Sequence, residues 1–410
     1  MKRFVLICLI PLTLTSLYAQ NETEPNPEEK DKKEKNLSII PLPVIAYNPT
    51  TAWMLGLAPG ASWFMGDPGI TSISSGLGTV IYTTKKQLML TAKTNMFLEG
   101  DSWNFLGDWR YFITSQPTYG LGTGEQSAKP VGSGIEYTDG LFSQSIPVAQ
   151  MMEFNFFRFH QTALKRIQDT RFFAGLGFHL DLHNKIQDNL LNLDTVPPII
   201  TSHYAYQTNQ NFSTEEYVLS GISINALFDS RDNAINPYSG RYAYANIRIN
   251  PTFLGSDQSS TMLWLEYRDY INLSQERPRH LIGFWTYGWF VTSGAVPYLD
   301  LPAVGWDQFG RSGRAYTQGR FRGEDLMYGE IEYRFPLMKE NELLGGVVFV
   351  NASTASNRTG GIGLFQYLDY AGGVGLRVMI NKKSRTNLNL DYAWGKYGAS
   401  GFYLGINEVF

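Results

Sequence analysis

The chain has one cysteine, Cys8, in 410 residues. Cys8 lies inside the apolar run from Phe4 to Leu14, too early to be the lipid-modified first residue of a mature chain. The mature chain is therefore expected to be thiol-free, which excludes disulfides and cysteine-held metal. Charge is also scarce: Asp, Glu, Lys and Arg make up 17% of the chain, below the roughly 25% of ordinary soluble domains. The net charge of −3 argues against binding nucleic acid by global electrostatics. After Leu37 no apolar run approaches the length of a spanning helix. There is no Gly-x-Ser-x-Gly elbow, no phosphate loop and no paired catalytic cysteine and histidine. Nothing supports an enzyme, and no cofactor is implied.

What is present begins with an address. Lys2 and Arg3 precede the apolar run, and Ala19 offers a small residue before a cleavage point, although Leu17 is large for its position. The run is shorter than the roughly 18–20 residues of a membrane anchor, so residues 1–19 read as a signal peptide. Residues 20–36, QNETEPNPEEKDKKEKN, are too polar to form an apolar face and read as a disordered tail. Residues 37–410 remain as one folded unit.

In that unit apolar and polar residues alternate with period two, broken by Gly, Asp, Asn and Ser. In FFAGLGFHLDL, Phe172, Ala174, Leu176, Phe178, Leu180 and Leu182 share a face opposite Gly175, Gly177, His179 and Asp181. In WNFLGDWRY, Trp103, Phe105, Trp109 and Tyr111 oppose Asn104, Leu106, Asp108 and Arg110. A soluble sandwich would also alternate. The length of the segments, the aromatics at their ends and the export signal favour an all-β, transmembrane antiparallel barrel, because only closure satisfies every backbone group in lipid. About fifteen strands can be marked, starting near residues 52, 71, 87, 103, 146, 171, 216, 241, 260, 281, 324, 343, 372, 386 and 401. An even count is expected, so a sixteenth is sought in 117–145 or 184–215.

Several segments together resemble the BamA/TamA-type bacterial surface antigen family of outer-membrane barrels. In FDSRDNAINPYSGRY, Asp229, Arg231, Asp232, Pro237 and Gly240 match a family turn on the periplasmic side, and these residue types are turn formers in any case. In GRAYTQGRFRGEDLMYGEIEYRFPL, Arg314, Ala315 and Tyr316 match the Arg-Gly-aromatic tip of the sixth extracellular loop, with Ala315 in place of the glycine. GFYLGINEVF, which ends in Phe410 with Phe402, Leu404 and Ile406 on the same face, resembles the terminal signal read by barrel-assembly machinery. YTTKKQ and YGLGTG resemble short members lacking periplasmic POTRA domains.

Alternation alone sends one set of side chains inward. Leu326, Tyr328, Glu330, Glu332 and Arg334 share a face opposite Met327, Ile331, Tyr333 and Phe335. Asn351 opposes Val348, Val350 and Ala352; Arg377 opposes Val374, Leu376, Val378 and Ile380; Asp391 opposes Leu390 and Tyr392. The resemblance implies that Arg314 folds back and docks on Glu332, with Asn351 where the family has an aspartate. Arg320 and Arg322 read either as part of that cluster or as solvated loop charges. His179, Asp181 and His183 share a face, but the histidines would stand about 13 Å apart, too far for one metal.

The family's first and last strands form a weak seam that opens toward lipid for client strands. Here Gly56, Pro59 and Gly60 in the first marked strand and Gly401 and Gly405 in the last fit such a seam, and fit barrel curvature equally. The implied role is assembly, insertion or translocation of outer-membrane proteins; the rivals are a passive pore or structural barrel and a surface interaction protein. The implied surroundings are the outer membrane and its lipid, the machinery that inserts the barrel, and periplasmic or outer-membrane protein partners.

Overall fold

A computed structural model describes residues 37–48, 52–128, 134–146, 149–338 and 342–410. The expected signal peptide and tail lie outside the described residues. The first strands are β1 (Leu37–Ile40), β2 (Pro43–Asn48), β3 (Ala52–Leu57), β4 (Gly60–Trp63), β5 (Ser74–Thr83), β6 (Leu88–Phe97) and β7 (Trp103–Thr118). Two short strands, β8 (Glu136–Thr138) and β9 (Leu141–Phe142), form a separate hairpin. The main sheet resumes with β10 (Gln150–Arg166), β11 (Phe172–Asp188), β12 (Tyr217–Asp229), β13 (Gly240–Asn250), β14 (Ser260–Asn272) and β15 (Leu281–Gly294). It ends with β16 (Asp325–Pro336), β17 (Leu344–Ala355), β18 (Asp369–Asn381), β19 (Thr386–Gly395) and β20 (Ser400–Ile406).

Every strand pairing in this 18-stranded sheet is antiparallel, and from β5 onward each strand pairs with the next one of the sheet, β7 pairing with β10. β1 pairs with β4 and β2 with β3, so each half of that first hairpin is a single stave with a break in it. Read this way, the eighteen segments make sixteen staves among the described residues. The additional stave lies at Leu37–Asn48, ahead of the first strand marked from the sequence. It does not lie in 117–145, which holds the separate hairpin, or in 184–215, which holds the helix Ser202–Asn209. Pro41 and Pro43 interrupt its alternation and remove two backbone donors.

The alternation has its physical counterpart in exposure. Ile331, Tyr333, Val348, Val350, Val374 and Leu376 are exposed on the outside, whereas Glu330, Glu332, Asn351 and Arg377 are buried inside. The loops at one end are long, at 119–149, 189–216 and 295–324, and the turns at the other are short, at 98–102, 167–171 and 382–385. Long extracellular loops and short periplasmic turns are the rule for such barrels.

Among the described residues no strand pairing joins the two edges of the sheet: β20 pairs with β19, and neither β1 nor β2 pairs with it. Side chains bridge the gap instead: Asn381 Nδ2 donates to Ser38 Oγ at 3.1 Å. Ile406 Cδ1 lies 3.5 Å from where a Cβ on Gly60 would stand.

Candidate functional site

The long connection between β15 and β16, residues 295–324, folds back inside the wall. Asp307 shapes its middle, accepting from Ser312 N at 3.0 Å and Ser312 Oγ at 2.6 Å. Gly313, at φ +78°, then lets the chain pass Val304, whose Cγ1 would stand 2.0 Å from a Cβ there. Arg314 follows at the innermost point, 3% exposed.

Its guanidinium meets three carboxylates from two staves. Nη1 donates to Asp391 Oδ2 at 2.7 Å, and Nη2 donates to Glu330 Oε1 at 2.5 Å and to Glu332. The guanidinium carbon also lies 3.3 Å from the centre of the Phe349 ring. Burial alone would lower the Arg314 pKa; Glu330, Glu332 and Asp391 outweigh it and hold the group well above the usual arginine range.

The network continues outward from these partners. Arg334 Nε donates to Glu332 Oε2 at 2.7 Å, and Arg377 Nη1 to Asp391 Oδ1 at 2.5 Å. Arg377 Nε reaches Glu408 Oε2 at 2.6 Å. Burial pushes the Glu408 carboxyl up, but Arg377 and Arg334 prevail and hold it at about 2. Buried ion networks of this kind gain little net energy but specify geometry, because desolvating each ion costs several kcal/mol, roughly what its partners return.

Asn351 sits beside the latch in a different way from the one the resemblance implies. Its Nδ2 donates to the main-chain oxygen of Arg314 at 3.2 Å and to Glu330 Oε2 at 3.4 Å. The aspartate on the guanidinium is Asp391 on β19, two staves along from Asn351. Ala315 adopts φ +90°, where glycine is favoured, and its N–H donates to Tyr403 Oη at 2.9 Å. Tyr316 Oη donates to Tyr370 O at 2.6 Å and accepts from Lys396 N at 3.0 Å, fixing the tip to β18 and the turn after β19.

Arg320 and Arg322 are not solvated. Arg322 is 2% exposed and donates to Tyr298 O and Leu299 O, each at 2.7 Å. Arg320 is enclosed by the Tyr119 and Tyr397 rings and donates to Ser127 O at 3.2 Å. Burial lowers both pKa values, outweighing the raising effect of Tyr119 and Asp369 on Arg320 and of Tyr298 and Asp300 on Arg322. The YGLGTG stretch closes over them: Gly122 N donates to Arg322 O at 2.7 Å, and Gly124 N to Asp369 Oδ2 at 2.8 Å.

The end of the described chain also turns inward. Phe402 and Leu404 are exposed on the outside, but Ile406 and Phe410 are buried, so the four do not share one face. The strand stops at Ile406, and Asn407 at φ +69° redirects the backbone. Arg311 donates to Ile406 O at 3.1 Å and to Glu408 O; Arg334 Nη2 donates to Phe410 O at 3.0 Å. The Phe410 ring rests 5.4 Å from that of Trp285.

At the short-turn end, Arg231 grips Asp229 through two hydrogen bonds of 2.9 and 2.6 Å. Asp232 Oδ1 accepts from Tyr238 N at 2.9 Å, Pro237 is buried, and Gly240 takes φ +101° beside Ser230 O. Asp232 Oδ2 also accepts from Arg385 at 2.7 Å, so the turn 230–239 reaches across to the β18–β19 turn.

A second network, which the sequence reading did not assemble, lines the opposite wall. Asp181 binds Arg158 at 2.5 Å, His160 at 2.8 Å and Arg248 at 2.8 Å. Arg158 reaches Asp300 of the inner loop at 3.3 Å, and Arg110 reaches Asp307 O at 3.1 Å. The inner loop thus ties both walls together. His179 pairs with Ser223 at 2.7 Å, while His183 faces Asp300 at 3.3 Å, so the two share no ligand. Period-two alternation signals the inward turn of Arg158 between Phe157 and Phe159, but nothing in the sequence signals its partners.

A family model for the Omp85 superfamily domain matches residues 134–410. The chain belongs to the Omp85 superfamily. This Omp85 barrel resembles the crystal structure of BamA from Haemophilus ducreyi lacking POTRA domains 1–3, with a TM-score of 0.54 and 14% identity. The likeness covers 91% of this chain and 69% of that one. CdiB from Acinetobacter baumannii matches with a TM-score of 0.51 and 11% identity, over 90% of this chain and 59% of that one. None of the curated proteins compared by sequence matches this Omp85 chain. Identities this low speak for the fold alone.

Proposed function

We propose that this Omp85 barrel assembles or inserts outer-membrane proteins, or passes a protein client across the membrane, through the gap between β20 and the first hairpin. The observation that carries the reading is that gap: among the described residues no strand pairing joins β20 to β1 or β2. Unpaired backbone facing lipid costs several kcal/mol per group. An edge of that kind offers hydrogen bonds to an incoming strand. The chain itself would be exported by a signal peptide and inserted by the assembly machinery, with periplasmic or outer-membrane partners delivering clients.

The Arg314 network serves this role as a latch that holds the inner loop while the edges part. A passive pore is the rival reading, and the packing of residues 295–324 and 407–410 inside the wall speaks against it. The test reconstitutes the purified chain in liposomes with an unfolded outer-membrane client. Faster client insertion supports the proposal. A Gly60→Cys/Ile406→Cys crosslink, in a Cys8→Ser background, should abolish that gain and a reductant restore it. Steady ion conductance with no gain in insertion would sink the idea.

A further inference from the structure

The staves β7, β10 and β11 are 16, 17 and 17 residues long, whereas β20 has 7. Their outer faces can be followed row by row. Leu90, Tyr111, Phe157 and Leu182 stand side by side in register, an apolar row. Two residues nearer the long loops the row reads Leu88, Ile113, Asn155 and Asn184. Two further, Ser115, Glu153 and Gln187 align. The apolar band therefore ends within about 7 Å of wall height, where outer-leaflet headgroups lie.

At that level the outside of the wall carries a groove of about 520 Å³. Lys85 and Lys86 of the YTTKKQ turn border it, as does Lys185; Glu153 is its single carboxylate among the described residues. All three lysines are exposed. Lys86 and Lys185 adopt φ of +63° and +54°, in the left-handed region where asparagine or glycine is less strained. A register shift between Glu153 and Asn155 brings Lys185 out of the β10–β11 ladder.

We propose that this groove binds the phosphorylated headgroup of an outer-leaflet glycolipid. Lys86 and Lys185, set beside one carboxylate, suit a phosphate group, and lysines near a membrane surface attract anionic headgroups. The occupant is a lipid because acyl chains attached to that phosphate would lie along the Leu90, Tyr111, Phe157 and Leu182 row beneath it. A soluble anion would make no use of that row.

The test incubates the full chain in detergent with a diphosphoryl glycolipid, its dephosphorylated form, or inorganic phosphate, and reads retained ligand by native mass spectrometry. The diphosphoryl form should be retained in preference to both others. Lys86→Asn and Lys185→Asn, which preserve the left-handed backbone, should each weaken retention about fivefold. Glu153→Gln should strengthen it, a change that misfolding cannot produce. Equal retention of the dephosphorylated form, binding of inorganic phosphate as tight as the lipid's, or an unchanged Lys86→Asn/Lys185→Asn protein would overturn the proposal.

Discussion

One guanidinium holding three carboxylates makes Arg314 the residue whose loss leaves the most uncompensated charge. Arg314→Ala leaves Glu330, Glu332 and Asp391 buried together, and removing one partner of a buried ion network costs about 3–5 kcal/mol. The folded, heat-modifiable fraction on a gel should fall accordingly, and the inner loop should become open to protease; an unchanged protein would refute the latch. Ala315 tests the backbone at the same tip. Glycine relieves the positive φ, so Ala315→Gly should raise stability by about 0.5–1 kcal/mol, read as a higher thermal midpoint. Asn351→Asp should destabilise, because the new carboxylate would face Glu330 and the Arg314 carbonyl. Glu408 sets a pH dependence. Its folded pKa is depressed, so its contribution is complete above its unfolded value of about 4.5 and is lost as pH falls toward about 2. Glu408→Gln should flatten an acid-unfolding titration across that interval.

At the scale of elements, the inner loop and the turn 230–239 close the barrel from within and from below. Arg385 joins the latter by its ion pair to Asp232 and by standing 4.2 Å from the Tyr238 ring centre. Arg385→Ala should expose that turn to protease while leaving the Arg314 network in place. Much at this scale was legible in the sequence. Alternation identifies inward Glu330, Glu332, Arg377 and Asp391, because a lipid-facing row tolerates so few charges. The stave at Leu37–Asn48 was not legible, since Pro41 and Pro43 break the period that reveals a strand. The inward turn of residues 407–410 escaped for the opposite reason: GFYLGINEVF keeps an alternating look past Ile406, and the turn depends on arginines 97 and 76 residues away.

Across the whole molecule, residues 295–324 and 407–410 occupy much of the interior, and the proposed role would run at the side of the wall instead of along its axis. The intact barrel should therefore show little steady conductance in a planar bilayer. Replacing residues 299–321 with a short Gly-Ser linker should raise it severalfold if the variant still folds, as its gel mobility would report. The overall architecture was readable because long alternating segments and the aromatics at their ends agree. The sequence reading sets the seam at Gly56, Pro59 and Gly60, next to the stave Leu37–Asn48 that Pro41 and Pro43 hide.

Many of the interior arginines bind main-chain oxygens: Arg322 those of Tyr298 and Leu299, Arg311 those of Ile406 and Glu408, Arg320 that of Ser127. A carbonyl is common to all residue types, so evolutionary drift at the accepting positions leaves these bonds intact. The donors are tied to arginine while their acceptors are free to vary. Such contacts leave no trace of paired substitution between relatives, and the loop can keep its place inside the barrel as the sequence around it is rewritten.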